Sequence, residues 1–274
     1  MKTARERVAG TVTEPTEKEG VALPIISVRN VFAGYGDQTI IERISFDVYP
    51  GEVLAILGRS GCGKTTLFKV MVGLLEPIEG EVSIDGVTVI PLSEGGSEQV
   101  LRSIGVLFQS GALFSSMTIA ENVALPLRQQ TDLDEKTVER VVSMKLADVG
   151  LAGYEGYLPS ELSGGMQKRA ALARAVALDP KILFFDEPSA GLDPVTSARL
   201  DEMILEINRN LGTTMVIVTH ELASVLTVAH RVVMLDGDEK TVISQGSPGE
   251  LIDSEDQRVR DFFHRSPAHD ESGR

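Results

Sequence analysis

Val53-Leu54-Ala55-Ile56-Leu57-Gly58-Arg59-Ser60-Gly61-Cys62-Gly63-Lys64-Thr65 opens on an unbroken apolar run and closes on a lysine and a threonine. An apolar run of this length predicts a strand buried on both faces, as parallel strands are. The glycines permit a tight turn in which successive backbone N–H groups point inward around an anion. A helix expected from Lys64 to Leu74 adds the positive end of its dipole. A glycine-rich turn before an ordinary helix is the plain alternative.

With a strand before it and a helix after it, the segment matches the P-loop in pattern and context. Gly58, Ser60, Gly61, Cys62, Gly63, Lys64, Thr65 and Thr66 are therefore expected to hold nucleotide phosphates. Lys64 should reach the β- and γ-phosphates of ATP, and Thr65 should hold Mg²⁺ through its hydroxyl. Cys62 reads as a small residue that fits the loop, without a redox role.

A second apolar run, Ile182-Leu183-Phe184-Phe185, delivers Asp186 and Glu187 to a strand end. Ligands of open α/β sheets bind at the carboxyl ends of strands. Adjacent carboxylates there are costly unless a cation or proton offsets them. Asp186 is the expected Mg²⁺ ligand and Glu187 the general base toward water. His220 follows the strand Met215–Thr219 on the same edge, where it could contact the γ-phosphate and the water; a structural histidine is its bland reading. Gln109 follows Ile104–Phe108 and could sense Mg²⁺ and the attacking water; a surface-loop amide is its alternative.

The rest of the chain alternates helix and buried strand, with half-buried strands near Ile25–Arg29 and Ile44–Val48. Glu81–Val87 reads as a hairpin turning at Asp85-Gly86. Helices are expected over Thr137–Val149, Gly164–Ala177 and Thr196–Asn210, the last ending at Leu211-Gly212. This is α/β logic with an antiparallel β annex. Residues 1–24 read as a flexible arm, 25–250 as one domain, and 251–274 as a C-terminal helix and tail with a disordered end.

Composition narrows the function classes. The 274 residues carry 40 Asp plus Glu against 26 Lys plus Arg, a net charge of −14. Such a surface repels polyphosphates at long range, so no nucleic-acid partner is expected. A single cysteine forms no intrachain disulfide. No stretch approaches the roughly 20 apolar residues that span a bilayer. The N-terminus lacks the apolar core of a secretory signal.

Glu161-Leu162-Ser163-Gly164-Gly165-Met166-Gln167-Lys168-Arg169 carries a plausible N-cap, Ser163, yet places two cations where a helix dipole favours acids. Exposed backbone at two glycines, a hydroxyl and positive charge make an anion site; a capped surface helix with a poor charge choice explains the residues equally. The set GKTTL, LSGGMQKR, ILFFDEP, Ser189-Ala190-Gly191-Leu192-Asp193 and His220, in this order, resembles the nucleotide-binding domain of ABC transporters over about residues 25 to 250. The resemblance implies the ABC ATPase fold: an α/β P-loop NTPase core, an antiparallel β annex and a helical signature subdomain. It implies a head-to-tail homodimer in which Ser163, Gly164 and Gly165 bind the γ-phosphate in trans and Asp193 communicates across the interface. Tyr35 matches the aromatic that stacks on adenine; packing on the β annex is its alternative.

In this family the segment after Gln109 receives a transmembrane permease. Leu113, Phe114 and Met117 offer apolar knobs for that contact, or belong to the core of the helical subdomain. FQSGALFSSMTIAENVALPLR, FFDEPSAGLDPVTSARLD, VTHELASV and the ending QRVRDFF resemble Mla-type ATPases of the toluene-tolerance kind. That resemblance implies phospholipid transport that maintains outer-membrane asymmetry, MCE-domain and STAS-domain subunits, and a peripheral site on the cytoplasmic face of the inner membrane. An importer ATPase for amino acids or other small solutes is the alternative, and a soluble ATP-gated clamp the remote one.

Overall fold

The computed structural model describes residues 23–264. The chain runs β1 (Ile26–Tyr35), β2 (Gln38–Val48), β3 (Val53–Leu57), α1 (Lys64–Met71), β4 (Glu79–Ile84) and β5 (Val87–Thr88). It continues through α2 (Glu98–Ser103), β6 (Ile104–Leu107), α3 (Ile119–Gln130), α4 (Glu135–Asp148) and α5 (Gly164–Ala175). The last part is β7 (Ile182–Asp186), α6 (Pro194–Leu211), β8 (Thr214–Val218), α7 (Leu222–Val228), β9 (Arg231–Leu235), β10 (Val242–Gly246), α8 (Pro248–Ile252) and α9 (Gln257–Phe263).

Two sheets form. The larger has the order β10-β9-β3-β8-β7-β6, parallel except for β10 at its edge. The smaller, β2-β1-β4-β5, is antiparallel and is the annex. Every residue of β3, β7 and β8 is buried. Side chains alternate between two layers, as the pleat requires. Ile182 and Phe184 join the core shared with α1 and the annex, whereas Leu183 and Phe185 join the core of the helical layer.

Local chemistry sets the boundaries. α4 begins two residues before the sequence expectation because Asp134 caps it, accepting from the Thr137 amide at 3.0 Å. α6 starts at Pro194 behind the Asp193 cap and stops at Gly212, which takes the left-handed φ of 64°. β1 runs past Arg29 to Tyr35 through register shifts; Asn30 adopts φ 47° there and donates its amide to the Ser45 hydroxyl. Asp85-Gly86 turns the β4–β5 hairpin as expected.

The division at residue 250 falls inside α8. Beyond it, Leu251 and Val259 are buried with Leu57, Leu222 and Met234 in a third cluster, so residues 251–264 belong to the same folded unit. The arm at 1–24 lies outside the described residues apart from Leu23 and Pro24, as does the tail after His264.

Phe184 is fully buried between β6 and β8 and meets the Phe68 ring edge-on at 6.3 Å. Phe184→Ala should cost about 3–5 kcal/mol of stability, read from urea denaturation. A loss below about 1 kcal/mol would contradict this packing.

Candidate ATP and magnesium site

Parallel register decides where the polar residues emerge. Ile56 on β3 pairs with Val218 on β8, and Val218 pairs with Asp186 on β7. Leu107 on β6 pairs with Phe185. The loop after Leu57, the carboxylates at 186 and 187, His220 and Gln109 therefore all leave the sheet along one edge. A cleft of about 820 Å³ opens there. Tyr35, Gly58, Ser60, Gly61, Gly63, Lys64, Thr65, Thr66, Gln109, Glu187 and His220 line it.

The loop from Gly58 to Gly63 closes on α1, whose first turn carries no acid to oppose an anion. Gly63 caps the helix at φ 98°, and a side chain there would collide with Ile41. The Lys64 ammonium donates to the carbonyls of Gly58 and Arg59 at 2.8 and 3.0 Å, which holds it across the loop. Cys62 departs from the rest: its side chain is 2% exposed and belongs to the apolar core under the loop. Any added Cβ at Gly58 would meet Cys62 Sγ. Only the backbone of Cys62 is left to serve a ligand, and burial pushes its thiol pKa up.

Glu187 is fixed on every side. It adopts φ 48°, a conformation that costs a residue with a side chain. Its amide donates to Val218 O at 2.8 Å. Its carboxylate accepts from the Thr219 hydroxyl at 3.2 Å and lies 2.9 Å from His220 Nδ1. A carboxylate only accepts, so this contact selects the Nδ1–H form and leaves Nε2 as an acceptor in neutral His220.

Asp186 is buried, and its Oδ1 has no hydrogen-bond partner. Burial, and then the adjacent Glu187 carboxylate, push its carboxyl above the ordinary range, against the pull of Lys69 and Lys64. An orphaned, desolvated oxygen is what a hard cation would satisfy. Asp186 and Gln109 share a second pocket beside the main cleft. The Asp186 carboxylate, the Thr65 hydroxyl and the Gln109 amide offer oxygen donors, so the residues fit Mg²⁺. Among the described residues no group of three His, Cys, Asp or Glu side chains could cage a metal, so phosphate and water would complete the shell.

Tyr35 stands at the rim, 49% exposed, instead of packing into the annex. Its hydroxyl accepts from Lys69 Nζ at 3.2 Å. Ile40 and Phe262 also line the cleft, and neither was singled out in the sequence. Phe262 arrives on α9, within the ending QRVRDFF that the sequence marks only by resemblance.

Ser163, Gly164, Gly165 and Asp193 do not line this cleft. Ser163 caps α5 by accepting from the Met166 amide at 3.3 Å. The expected cations of that helix are turned elsewhere. Lys168, 7% exposed, donates to the carbonyls of Glu187, Pro188 and Ala190. Arg169 donates to Val149 O and Gly150 O. What α5 presents to an anion is its amides and the Ser163 hydroxyl. Asp193 accepts from the Val195 and Thr196 amides and the Thr196 hydroxyl, and these bonds hold its carboxyl below the usual range.

The inward Cys62 predicts that a thiol reagent modifies folded protein at least roughly tenfold more slowly than the urea-unfolded chain. Equal rates would place the sulfur in the cleft.

Comparison with known proteins bears on the family and the fold. The ABC transporter family model matches residues 41–190. The intermembrane phospholipid transport system ATP-binding protein MlaF of Haemophilus influenzae is 42% identical, over 87% of this chain and 90% of that protein. The probable ribonucleotide transport ATP-binding protein mkl of Mycobacterium tuberculosis is 41% identical, over 87% of this chain and 66% of that one. Among solved structures, cbiO1 of Clostridium perfringens, part of an ABC transporter complex, superimposes with a TM-score of 0.75 at 31% identity, covering 84% of this chain and 91% of its own. The dimeric cassette MJ0796, in a post-hydrolysis state with ADP and Pi, gives 0.72 at 27%, covering 81% and 98%. The chain belongs to the ABC transporter family, as one of its ATP-hydrolysing subunits.

Proposed function

We propose that this chain hydrolyses Mg²⁺-bound ATP in a head-to-tail homodimer and so drives a membrane permease that moves phospholipid. The observation that carries the enzymatic part is the shared strand edge, where the 58–65 loop and Glu187 line one cleft and Asp186 emerges in the pocket beside it that also holds Gln109.

The loop amides and Lys64 bind the triphosphate, and Tyr35 stacks on adenine. Thr65, Gln109 and Asp186 would hold Mg²⁺, which when bound offsets the charge of the transferring phosphoryl group. Glu187 takes the proton from the attacking water as general base. His220, oriented by its Nδ1–H bond to Glu187, contacts the attacking water and the γ-phosphate, with Nε2 as the acceptor toward the water. Ser163, Gly164 and Gly165 cap the γ-phosphate of the second subunit, and Asp193 reports across the interface. Supporting the trans assignment, the signature segment opens helix α5 outside its own cleft, and that helix carries no acid in its first turn.

Phospholipid as cargo rests on the likeness to the MlaF proteins, over nearly the full length of both chains. On this reading the complex also contains MCE-domain and STAS-domain subunits and works from the cytoplasmic face of the inner membrane. No described helix is long and apolar enough to cross a membrane; the proposed attachment is through the permease. A groove of about 370 Å³ beside α3 is the proposed permease contact. Phe114 lines it at 51% exposure, whereas Leu113 packs into the helical core. Asn122, fully buried, shapes the preceding loop by bonding the carbonyls of Phe114, Met117 and Thr118.

Glu187→Gln should bind ATP yet hydrolyse it at least roughly a hundredfold more slowly, and accumulate as a nucleotide-bound dimer. Undiminished turnover removes the base assignment. Phe114→Asp should abolish co-purification of the permease while leaving nucleotide affinity intact; retained co-purification moves the contact elsewhere. An MCE-domain protein in the purified complex supports lipid cargo, and a periplasmic solute receptor overturns it in favour of small-solute import.

A further inference from the structure

The Lys168 ammonium has three N–H donors, and the structure gives it three carbonyl acceptors: Glu187 at 3.2 Å, Pro188 at 2.6 Å and Ala190 at 2.8 Å. All lie in the loop that leaves β7, while Lys168 itself projects from α5 in the helical layer. We infer that Lys168 is a positioning residue for Glu187: it clamps the backbone that holds the carboxylate in place. The inference rests on the proposed role of Glu187 as base.

The left-handed backbone at Glu187 persists only where the surroundings over-determine it. Three restraints do so. The Glu187 amide is tied to β8, its carboxylate to His220 and Thr219, and its carbonyl to Lys168 and the Ala190 amide. Without Lys168 the carbonyls of Pro188 and Ala190 lose the only donor described for them, and a buried acceptor without a donor drives rearrangement. The loop can then relax toward water, and the carboxylate moves with it. Small displacements of a positioned base are costly to the rate.

The clamp also joins two parts of the proposed machinery. α5 begins at the signature glycines. A side chain at Gly165 would come within 2.6 Å of Thr196, the residue bonded to Asp193. One helix therefore touches the 187–190 loop at Lys168 and the start of α6 at Gly165.

The test uses the full-length chain co-expressed and purified with its membrane partner. ATP turnover and nucleotide affinity are measured for wild type, Lys168→Met, Lys168→Arg, Glu187→Gln and the Lys168→Met/Glu187→Gln pair. Lys168→Met should lower kcat by about tenfold to a hundredfold. Its ATP affinity should change by less than about twofold, because Lys168 does not line the cleft. Lys168→Arg keeps the charge and the donors and should restore most of the rate. The paired variant should be no slower than Glu187→Gln alone, since residues acting through one group do not add. Lys168→Gln, uncharged but still a donor, should fall between and stands in if the methionine variant does not accumulate.

Equal losses of affinity and turnover, no rescue by arginine, or the same rate penalty with Glu187 already replaced would each overturn the inference. If Glu187→Gln alone keeps full turnover, the base assignment fails visibly by itself, and this inference falls with it.

Discussion

Strands buried on both faces can release polar side chains only at their ends. β3, β7 and β8 are buried at every residue, and they run parallel in tight register. Their carboxyl ends therefore form one line, and the groups beyond them have a single edge to occupy. The phosphate-binding loop, the two carboxylates and His220 are neighbours for this reason, though more than a hundred residues separate Gly58 from Asp186. The site's geometry is thus a consequence of the core. Anything that shifts the register of β7 against β8 displaces Asp186 and Glu187 together.

Much of this was legible because the signals are local. An apolar run bounded by glycines gives β3, and an apolar run ending in two acids gives β7. The N-cap at Ser163 and the stop at Gly212 need only a few residues on either side. α3 also left a local mark, since Thr118 and Glu121 form a capping box. Pro126 inside that helix obscures the pattern.

What could not be read depends on contacts distant in sequence. Lys168 looks like a surface cation at a helix start; its partners lie about twenty residues on, across a layer boundary. Cys62 sits among loop residues that line the cleft, yet its sulfur turns into the core. Tyr35 reaches the cleft because bulges carry β1 past its expected end. Phe262 reaches it because α9 folds back onto α7 and β9. In each case the periodicity is silent on which layer the side chain meets.

The signature segment and Asp193 lie away from their own cleft, which is economical only if a second copy supplies the complement. Val195 beside Asp193 is exposed and Gly164 faces open space, while Gly165 packs against Thr196. The most direct test is a structure of a hydrolysis-deficient chain with ATP and Mg²⁺. The account predicts phosphates among the amides of residues 58–65, a cation between Thr65 and Asp186, and the Ser163–Gly165 segment of a second copy on the γ-phosphate. Nucleotide bound elsewhere, or held by one chain with that segment open to solvent, would contradict it.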